Sequence, residues 1–366
     1  MEEFSRIRHW LRQRFPRQPH IYFGLSGATL LNETLKTQQR SSVVLSAFLC
    51  PGISSAIARA GKRVIHVDAD PCTMHPRMDQ LELCLARENP SHTAVLIDHS
   101  FGYPFPGLDR LRRRFPDVLF IEDCARALGA EIHGQFPGAN SDWVLISMYK
   151  TVAGSRDGAI LLTNTPLALR DNGHAVPTLR ERACTLAPLR FAYDLVKRAR
   201  PDFDVRSAGR HAPAWDPVHG FPNGLCVERF TAELDAFESR LAQRRAIARE
   251  LTASISRIEG LAAIEVAAGC ESAGHFVSFR VLGCEVRDPL LKRLHASGLF
   301  LSRTWDLLPS HYPCFAETFP MGHSGSDYLG EHIAHIPVHL FLSGRRRRRL
   351  VDSLAQLSFE YAPSAA

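Results

Sequence analysis

The chain has 366 residues, 45% of them apolar, enough for one large buried core and a smaller second one. No run of about eighteen apolar residues occurs, so no membrane span is expected, and the charged start MEEFSRIRHWLRQRF lacks an apolar signal core and reads as a basic amphipathic helix. Net charge is +6, mild for this length, and nine cysteines without C-x-x-C spacing point to a reducing, cytoplasmic setting with no zinc site.

In chain order, SGATLLNETLK reads as a helix, VVLSAF as a strand and GISSAIARAG as a helix. RVIHVDAD is a strand, RMDQLELCLARE a helix, TAVLIDHS a strand, GLDRLRRRF a helix and VLFIEDC a strand. DWVLISM and GAILLT follow as two more strands. This alternation predicts an α/β fold, a mostly parallel central sheet flanked by helices. From Thr165 to Pro222 the pattern weakens, and only FAYDLVKRAR is clearly helical; the segment reads as a lid or a connection. A helical stretch from Val227 to Ile258, the strands IEV, HFVSFRVL and LFLS, and the helix RDPLLKRLHASG form a smaller α+β unit. The expected division is a large domain over 1–220 and a small C-terminal domain over 221–366. Arg345 to Arg349 read as the solvated start of a last helix. Basic residues are nowhere interleaved with aromatics as base stacking requires, so nucleic acid is not an expected partner.

Ligands of such sheets gather beyond the carboxyl ends of the strands. Those ends are polar here: His99 and Ser100, Asp123, Ser147 and Lys150. Asp123 on its own reads as a helix cap. Ser26, Gly27 and Ala28 open a helix, whose N–H groups suit a phosphate, although on their own an ordinary serine cap explains them better. Lys150, just beyond the strand DWVLISM, is either a solvated loop residue or a nucleophile. The letters SMYK also match the S-x-x-K of penicillin-recognising enzymes, but S-D-N and K-T-G do not follow, and Ser147 ends a strand instead of starting a helix.

The ordered series SGAT, LSAFLCPG, AGKRVIHVDAD, DHSFGYP, FIEDCARALGA, SMYKTVAGSRDGAILL and HIPVH resembles the DegT/DnrJ/StrS aminotransferase family. These are pyridoxal-phosphate (PLP) enzymes of the aspartate-aminotransferase fold, fold type I. IEDCARALGA is the most specific piece. The resemblance implies that Asp123 holds the proton on the cofactor's pyridine nitrogen. It implies that Ser26, Gly27, Ala28 and Ser147 hold the phosphate and that His99 lies near the ring edge, although a core histidine is an almost equally good reading of His99. It further implies a phosphate contact from a neighbouring subunit, for which Asn223 is the nearest candidate although it reads more strongly as a turn residue; Arg303, at the end of LFLSR, is a candidate to meet a substrate carboxylate or phosphate. No chemistry is assigned to His335 or His339 of HIPVH.

Several positions depart from the family pattern. Cys50 stands where an aromatic side chain often stacks on the cofactor. Arg126 replaces a glutamine and is expected near the ring's phenolic oxygen, and Leu128 stands where histidine is common. The family spacing S-x-x-x-x-K becomes Ser147-x-x-Lys150. An ungapped alignment puts Val152 at the lysine position and leaves no Schiff base; a shortened loop makes Lys150 the Schiff-base lysine, and RDGAILL, which keeps the family's approach to the next strand, favours the latter.

The function this resemblance implies is transamination from an amino-acid donor, glutamate by default. The acceptor is a keto group of a sugar nucleotide or of a small biosynthetic intermediate, and the altered ring contacts weigh against the sugar nucleotide. A homodimer is expected, with the segment from Arg206 to His219 near its boundary. Two alternatives stay open: a PLP enzyme of another reaction type (elimination, decarboxylation or carbon–carbon bond formation), and a PLP-fold relic with a binding or regulatory role.

Overall fold

The computed structural model describes residues 2–151, 157–169, 217–283, 287–305 and 307–361. Its strands are β1 (His20–Gly24), β2 (Ser42–Ser46), β3 (Arg63–Val67), β4 (Thr93–Asp98), β5 (Leu119–Asp123), β6 (Glu131–Ile132), β7 (Trp143–Ser147), β8 (Ala159–Thr163), β9 (Leu261–Ala263), β10 (Cys270–Glu271), β11 (Phe276–Val281) and β12 (Ile333–Pro337). Seven of them form one sheet in the order β1-β8-β7-β5-β4-β2-β3. The run β3-β2-β4-β5-β7 is parallel, and β8 alone runs against its neighbours.

The strands are apolar on both faces because helices cover both. Val43 and Leu45 of β2 and Leu96 of β4 pack with Leu30, Leu31 and Leu35 of helix Gly27–Lys36 and Ile57 of helix Pro51–Arg59. Val44, Val95 and Ile97, alternate residues of the same strands, pack with Leu81 and Leu85 of helix Met78–Arg87 and Leu108 and Leu111 of helix Leu108–Arg114. The period of two in a strand makes this division automatic.

The second unit is a three-stranded antiparallel sheet, β12-β11-β9. Leu251 and Ile255 of helix Phe237–Ile255, Leu290 and Leu294 of helix Arg287–Ala296, and Leu350 and Leu354 of helix Gly344–Tyr361 bury its apolar face. Several contacts join it to the large unit, two of them near strand ends. Just after β3, Asp68 accepts the backbone N–H groups of Gly325 and Ser326 at 2.8 Å each, capping helix Ser324–His332. The Tyr103 hydroxyl accepts the backbone N–H of Ser278 at 2.9 Å.

The structure departs from the sequence reading in several places, among them IEV, which is irregular because the strand lies just before it, at β9. β1 is a strand that reading did not contain. LFLS forms no strand, only an isolated bridge from Ser302 to His335, because burial of Leu299 and Leu301 in the small core satisfies its apolar pattern without a ladder. The long helical stretch breaks at Ala236 into helices Gly224–Asp235 and Phe237–Ile255. The break lets Phe237 and Leu241 join Phe230 in the core of the large sheet, so helix Gly224–Asp235 packs with that sheet although it follows residue 220. Within HIPVH, His335 lies in β12 and His339 in the 3-10 turn Val338–Leu340 that follows it. The expected helix FAYDLVKRAR lies outside the described residues. No helix among the described residues is long and apolar enough to cross a membrane, and the seven described cysteines are all free.

Candidate active site

At the carboxyl ends of β4, β5 and β7 lies a cavity of about 210 Å³. Asp98 ends β4 and Asp123 ends β5, and the two are register partners in the parallel pair. Ser147 ends β7, and the chain turns at once into the single helical turn Met148–Thr151. Lys150 therefore sits in a helical turn, not in open loop. Ser147 Oγ accepts the backbone N–H of Lys150 at 3.3 Å, and Thr151 Oγ1 donates to Ser147 O at 2.9 Å. Asp98, Asp123, Ser147 and Lys150 all line the cavity. Of the five lysines in the chain, four are described, and among these Lys150 alone reaches it.

Two helix N-termini open on the same cavity. Ser26 is the N-cap of helix Gly27–Lys36 and Cys50 that of helix Pro51–Arg59; neither side chain makes a capping hydrogen bond. The first-turn N–H groups have no intrahelical acceptor and carry the positive end of the helix dipole. A Cβ on Gly27 would meet only Ala159 Cβ, at 3.9 Å, so the space before this turn is open.

The residues present fit a phosphorylated pyridine aldehyde. Asp123 Oδ1 is engaged by the Ala125 N–H at 2.9 Å, and its second oxygen has no partner among the described residues. The Lys150 ammonium makes no ion pair or hydrogen bond there either; its nearest aromatic neighbour is Tyr149, with Nζ 5.8 Å from the ring centre. An open carboxylate, an open amine and an anion-binding turn thus face one space. Asp98, which the sequence reading did not single out, completes the wall. Burial and the charge of Asp123 push its pKa up to about 6, against the Ser100 hydroxyl, which donates to Oδ2 at 2.5 Å, and the Lys150 charge, which favour the ionised form. Its signal was available: IDHS ends a strand in a carboxylate just as IED does.

Ser26, Gly27, Ala28, Cys50, Asp123, Arg126, Ser147 and Lys150 are brought together. Three expected site residues lie elsewhere. His99 is fully buried behind the strand ends; its Nε2 bonds Glu122 Oε2 at 2.6 Å and its Nδ1 accepts the Phe105 N–H at 3.0 Å. Asn223 is the N-cap of helix Gly224–Asp235, accepting the Cys226 N–H at 2.9 Å, and does not line its own chain's cavity. Arg303 is ion-paired with Asp288 at 2.8 Å and does not line the cavity. Trp305 and Phe101, which no local motif announces, line the cavity instead. Leu128 is buried in the core of the large sheet. Val152 lies outside the described residues. A second cavity of about 270 Å³, along β1 on the other side of Ser26, contains neither Asp123 nor Lys150.

The sheet order and the placement of the site beyond its strand ends define the fold of PLP-dependent transferases, fold type I. The structure superimposes on a DegT DnrJ EryC1 StrS aminotransferase from Brucella abortus with a TM-score of 0.73, at 19% identity, over 98% of this chain and 91% of that one. It also superimposes on Spr1654 of Streptococcus pneumoniae, solved in PLP and PMP forms, with a TM-score of 0.72 at 15% identity, over 98% and 92% of the two chains. Residues 24–171 match the model of the DegT/DnrJ/EryC1/StrS aminotransferase family. Among curated relatives, the dTDP-4-dehydro-2,3,6-trideoxy-D-glucose 4-aminotransferase of Saccharopolyspora spinosa is 25% identical over 291 residues, 76% of this chain and 69% of the relative.

Proposed function

We propose that the chain is a PLP-dependent aminotransferase that moves an amino group from an amino-acid donor, glutamate by default, to a keto group. The acceptor is the keto carbon of a nucleotide-linked sugar or of a small biosynthetic intermediate; the relative from Saccharopolyspora spinosa supports the first. The observation that carries the reading is the juxtaposition of Lys150, Asp123 and the Ser26 helix N-terminus around one cavity. Bound there, PLP supplies an electron sink for the pair left on a substrate carbon that loses its proton.

The chain's own residues do the rest. The Gly27 and Ala28 N–H groups, with the uncommitted hydroxyl of Ser26 and that of Ser147, bind the phosphate. The open oxygen of Asp123 keeps the pyridine nitrogen protonated. Lys150 Nζ attaches the cofactor and, once displaced by the donor amine, carries the proton between substrate carbon and cofactor carbon. Lys150 in the cavity supports the shortened loop over the ungapped alignment, and so supports an enzyme over a relic. We further propose a cytoplasmic homodimer; of the segment from Arg206 to His219 only residues 217–219 are described, and Val218 and His219 line the second cavity. A fully active monomer in light scattering would remove the dimer from the reading.

The test is borohydride reduction of the PLP-loaded protein followed by peptide mapping. The pyridoxyl group is expected on Lys150; a label on Lys62, Lys197 or any other lysine overturns the site. Incubation with glutamate then separates transamination from other PLP reactions, because only a transaminase converts PLP to the pyridoxamine form and releases 2-oxoglutarate.

A further inference from the structure

Two carboxylates stand side by side in the cavity, and the chemistry proposed above uses one of them. Asp98 and Asp123 are register partners on the parallel strands β4 and β5, so their side chains leave the same face of the sheet from backbones about 4.8 Å apart. Both line the cavity that holds Lys150. The Ser100 hydroxyl braces Asp98 Oδ2 at 2.5 Å, while Oδ1 bonds no described residue. The charged and titratable groups that face Asp98 are Asp123 of β5, Lys150 of the turn after β7, Arg126 of the segment after β5 and its chain neighbour His99, with Cys50 and Tyr149 in the same lining. The sheet order gives Asp98 a side. Ser26 follows β1 and Ser147 ends β7, so the groups that suit a phosphate lie on one side of β5 and Asp98 on the other. In PLP the phosphate arm and the ring hydroxyl flank the carbon that a lysine attaches to, and the pyridine nitrogen lies across the ring from it. With that nitrogen on Asp123 and the phosphate toward Ser26 and Ser147, the hydroxyl edge faces Asp98.

We propose that the charge of Asp98 holds the proton on Lys150 Nζ while that nitrogen is joined to the cofactor. The proton there lies between Nζ and the oxygen of the ring hydroxyl, and a carboxylate beside that edge favours the protonated, cationic form over the neutral one. Arg126 acts in the opposite sense from the same lining, because a guanidinium favours loss of that proton. Asp98 is ionised in the range that matters. Burial and the charge of Asp123 raise its pKa, but only to about 6, with Ser100 and the Lys150 charge pulling the other way. The protonated nitrogen is the form that a donor amine attacks, so Asp98 extends the working range of the lysine toward alkaline pH. The inference rests on the cavity being the amino-transfer site. It gives the second carboxylate a task distinct from the hold of Asp123 on the ring nitrogen.

The experiment follows the visible absorbance of the PLP-loaded protein as pH is raised, which reads the proton on Nζ without any turnover. Wild type is expected to keep the band of the protonated form through neutral pH. Asp98→Asn keeps the shape and still accepts the Ser100 hydroxyl, yet loses the charge. Its band should be lost at a midpoint about one pH unit lower, a tenfold loss of proton affinity. Asp98→Glu, which keeps the charge, should stay closer to wild type than Asp98→Asn does. A midpoint that does not move in Asp98→Asn, or that moves upward, overturns the proposal. Should that variant not take up cofactor, Asp98→Ser and Asp98→Glu are compared in the same way: a lower midpoint for the neutral serine is expected, and equal midpoints overturn the proposal. A wild-type visible band that borohydride removes leaves the functional reading standing in each of these cases; no such band in wild type overturns that reading and this inference together.

Discussion

The wall of the cavity carried by β5, β7 and the Ser26 helix and the rest of its lining, the second wall, are built on different principles. The first gathers Ser26, Gly27, Asp123, Ser147 and Lys150, small or charged groups presented by strand ends and a helix N-terminus. The second gathers Cys50, Phe101, Arg126 and Trp305, apolar or aromatic except for one caged guanidinium. The first wall keeps the family's serine, aspartate and lysine, with the lysine spacing shortened, and the second holds two further departures, Cys50 and Arg126. Chemistry common to a family belongs on the sheet edge, because strand register fixes it; selection among substrates belongs on the residues that tertiary packing brings over that edge.

Lys150→Ala tests the first wall hardest. The variant should fold, since a half-buried side chain in a terminal helical turn contributes little to a core. Turnover should fall at least about a thousandfold, because both the covalent attachment and the proton-moving base are lost. No cofactor should be fixed by borohydride. Circular dichroism checks the fold and steady-state kinetics the rate; turnover within tenfold of wild type would mean that this wall does not carry the reaction.

Asp123→Asn comes next. An amide cannot hold the ring proton, yet it can still accept the Ala125 N–H that the carboxylate accepts now. The variant should bind cofactor and lose about a hundredfold in rate, equivalent to about 2.7 kcal/mol of barrier. Unchanged rates would reduce Asp123 to the cap that it also is.

The two walls were unequally legible in the sequence. Strand ends are local: IED and LISMYK announce a carboxylate, a serine and a lysine at one sheet edge once the alternation of strands and helices is read. The Arg126 cage is not local. Its rings come from residues 101, 276 and 305, and no window of sequence contains two of them. His99 misled for the same physical reason that Asp98 was missed. They are neighbours at one strand end, the chain sends their side chains to opposite sides, and only the partners Glu122 and Phe105 show which one faces inward to the core. β1 escaped notice because HIYFG is five residues long and follows a proline-bounded turn, with its pairing supplied by β8 from far along the chain.

Asp98→Asn probes the seam between the walls, and stability is its sharper readout. Burial and Asp123 raise the Asp98 pKa from its ordinary 3.8 to about 6. An acid whose folded pKa is raised costs stability when ionised: the cost is absent below about pH 4, grows as pH rises to the folded value, and is full above it. The asparagine variant removes it. The variant should therefore be more stable than wild type at neutral pH by up to about 3 kcal/mol, with the gain vanishing below about pH 4. Activity at neutral pH should drop roughly tenfold, as the loss of one negative charge weakens the hold of the Asp123 side on a proton. Thermal unfolding at the two pH values checks the first expectation, and a variant less stable than wild type at neutral pH would show that Asp98 is held by its Ser100 hydrogen bond more than it is strained.

The smallest effect is expected at Cys50, and it is the one that defines the second wall. Cys50 caps helix Pro51–Arg59 only through its backbone, and its thiol lines the cavity at a position where the family often stacks an aromatic ring. A sulfur against a ring face is worth about 0.3–1.5 kcal/mol, much less than a stacked ring's buried area. Cys50→Ala should therefore cost about twofold in kcat/KM, with cofactor fixation on Lys150 intact. Cys50→Tyr restores a ring but places its bulk in a cavity of about 210 Å³, so it should hold cofactor more tightly and admit a bulky acceptor less well. The ratio of rates for a bulky and a small keto acceptor, measured in wild type and in Cys50→Tyr, checks this. A ratio that does not move would mean that the room left by cysteine plays no part in choosing the acceptor, and that the departures on this wall act through Arg126 and Trp305 alone.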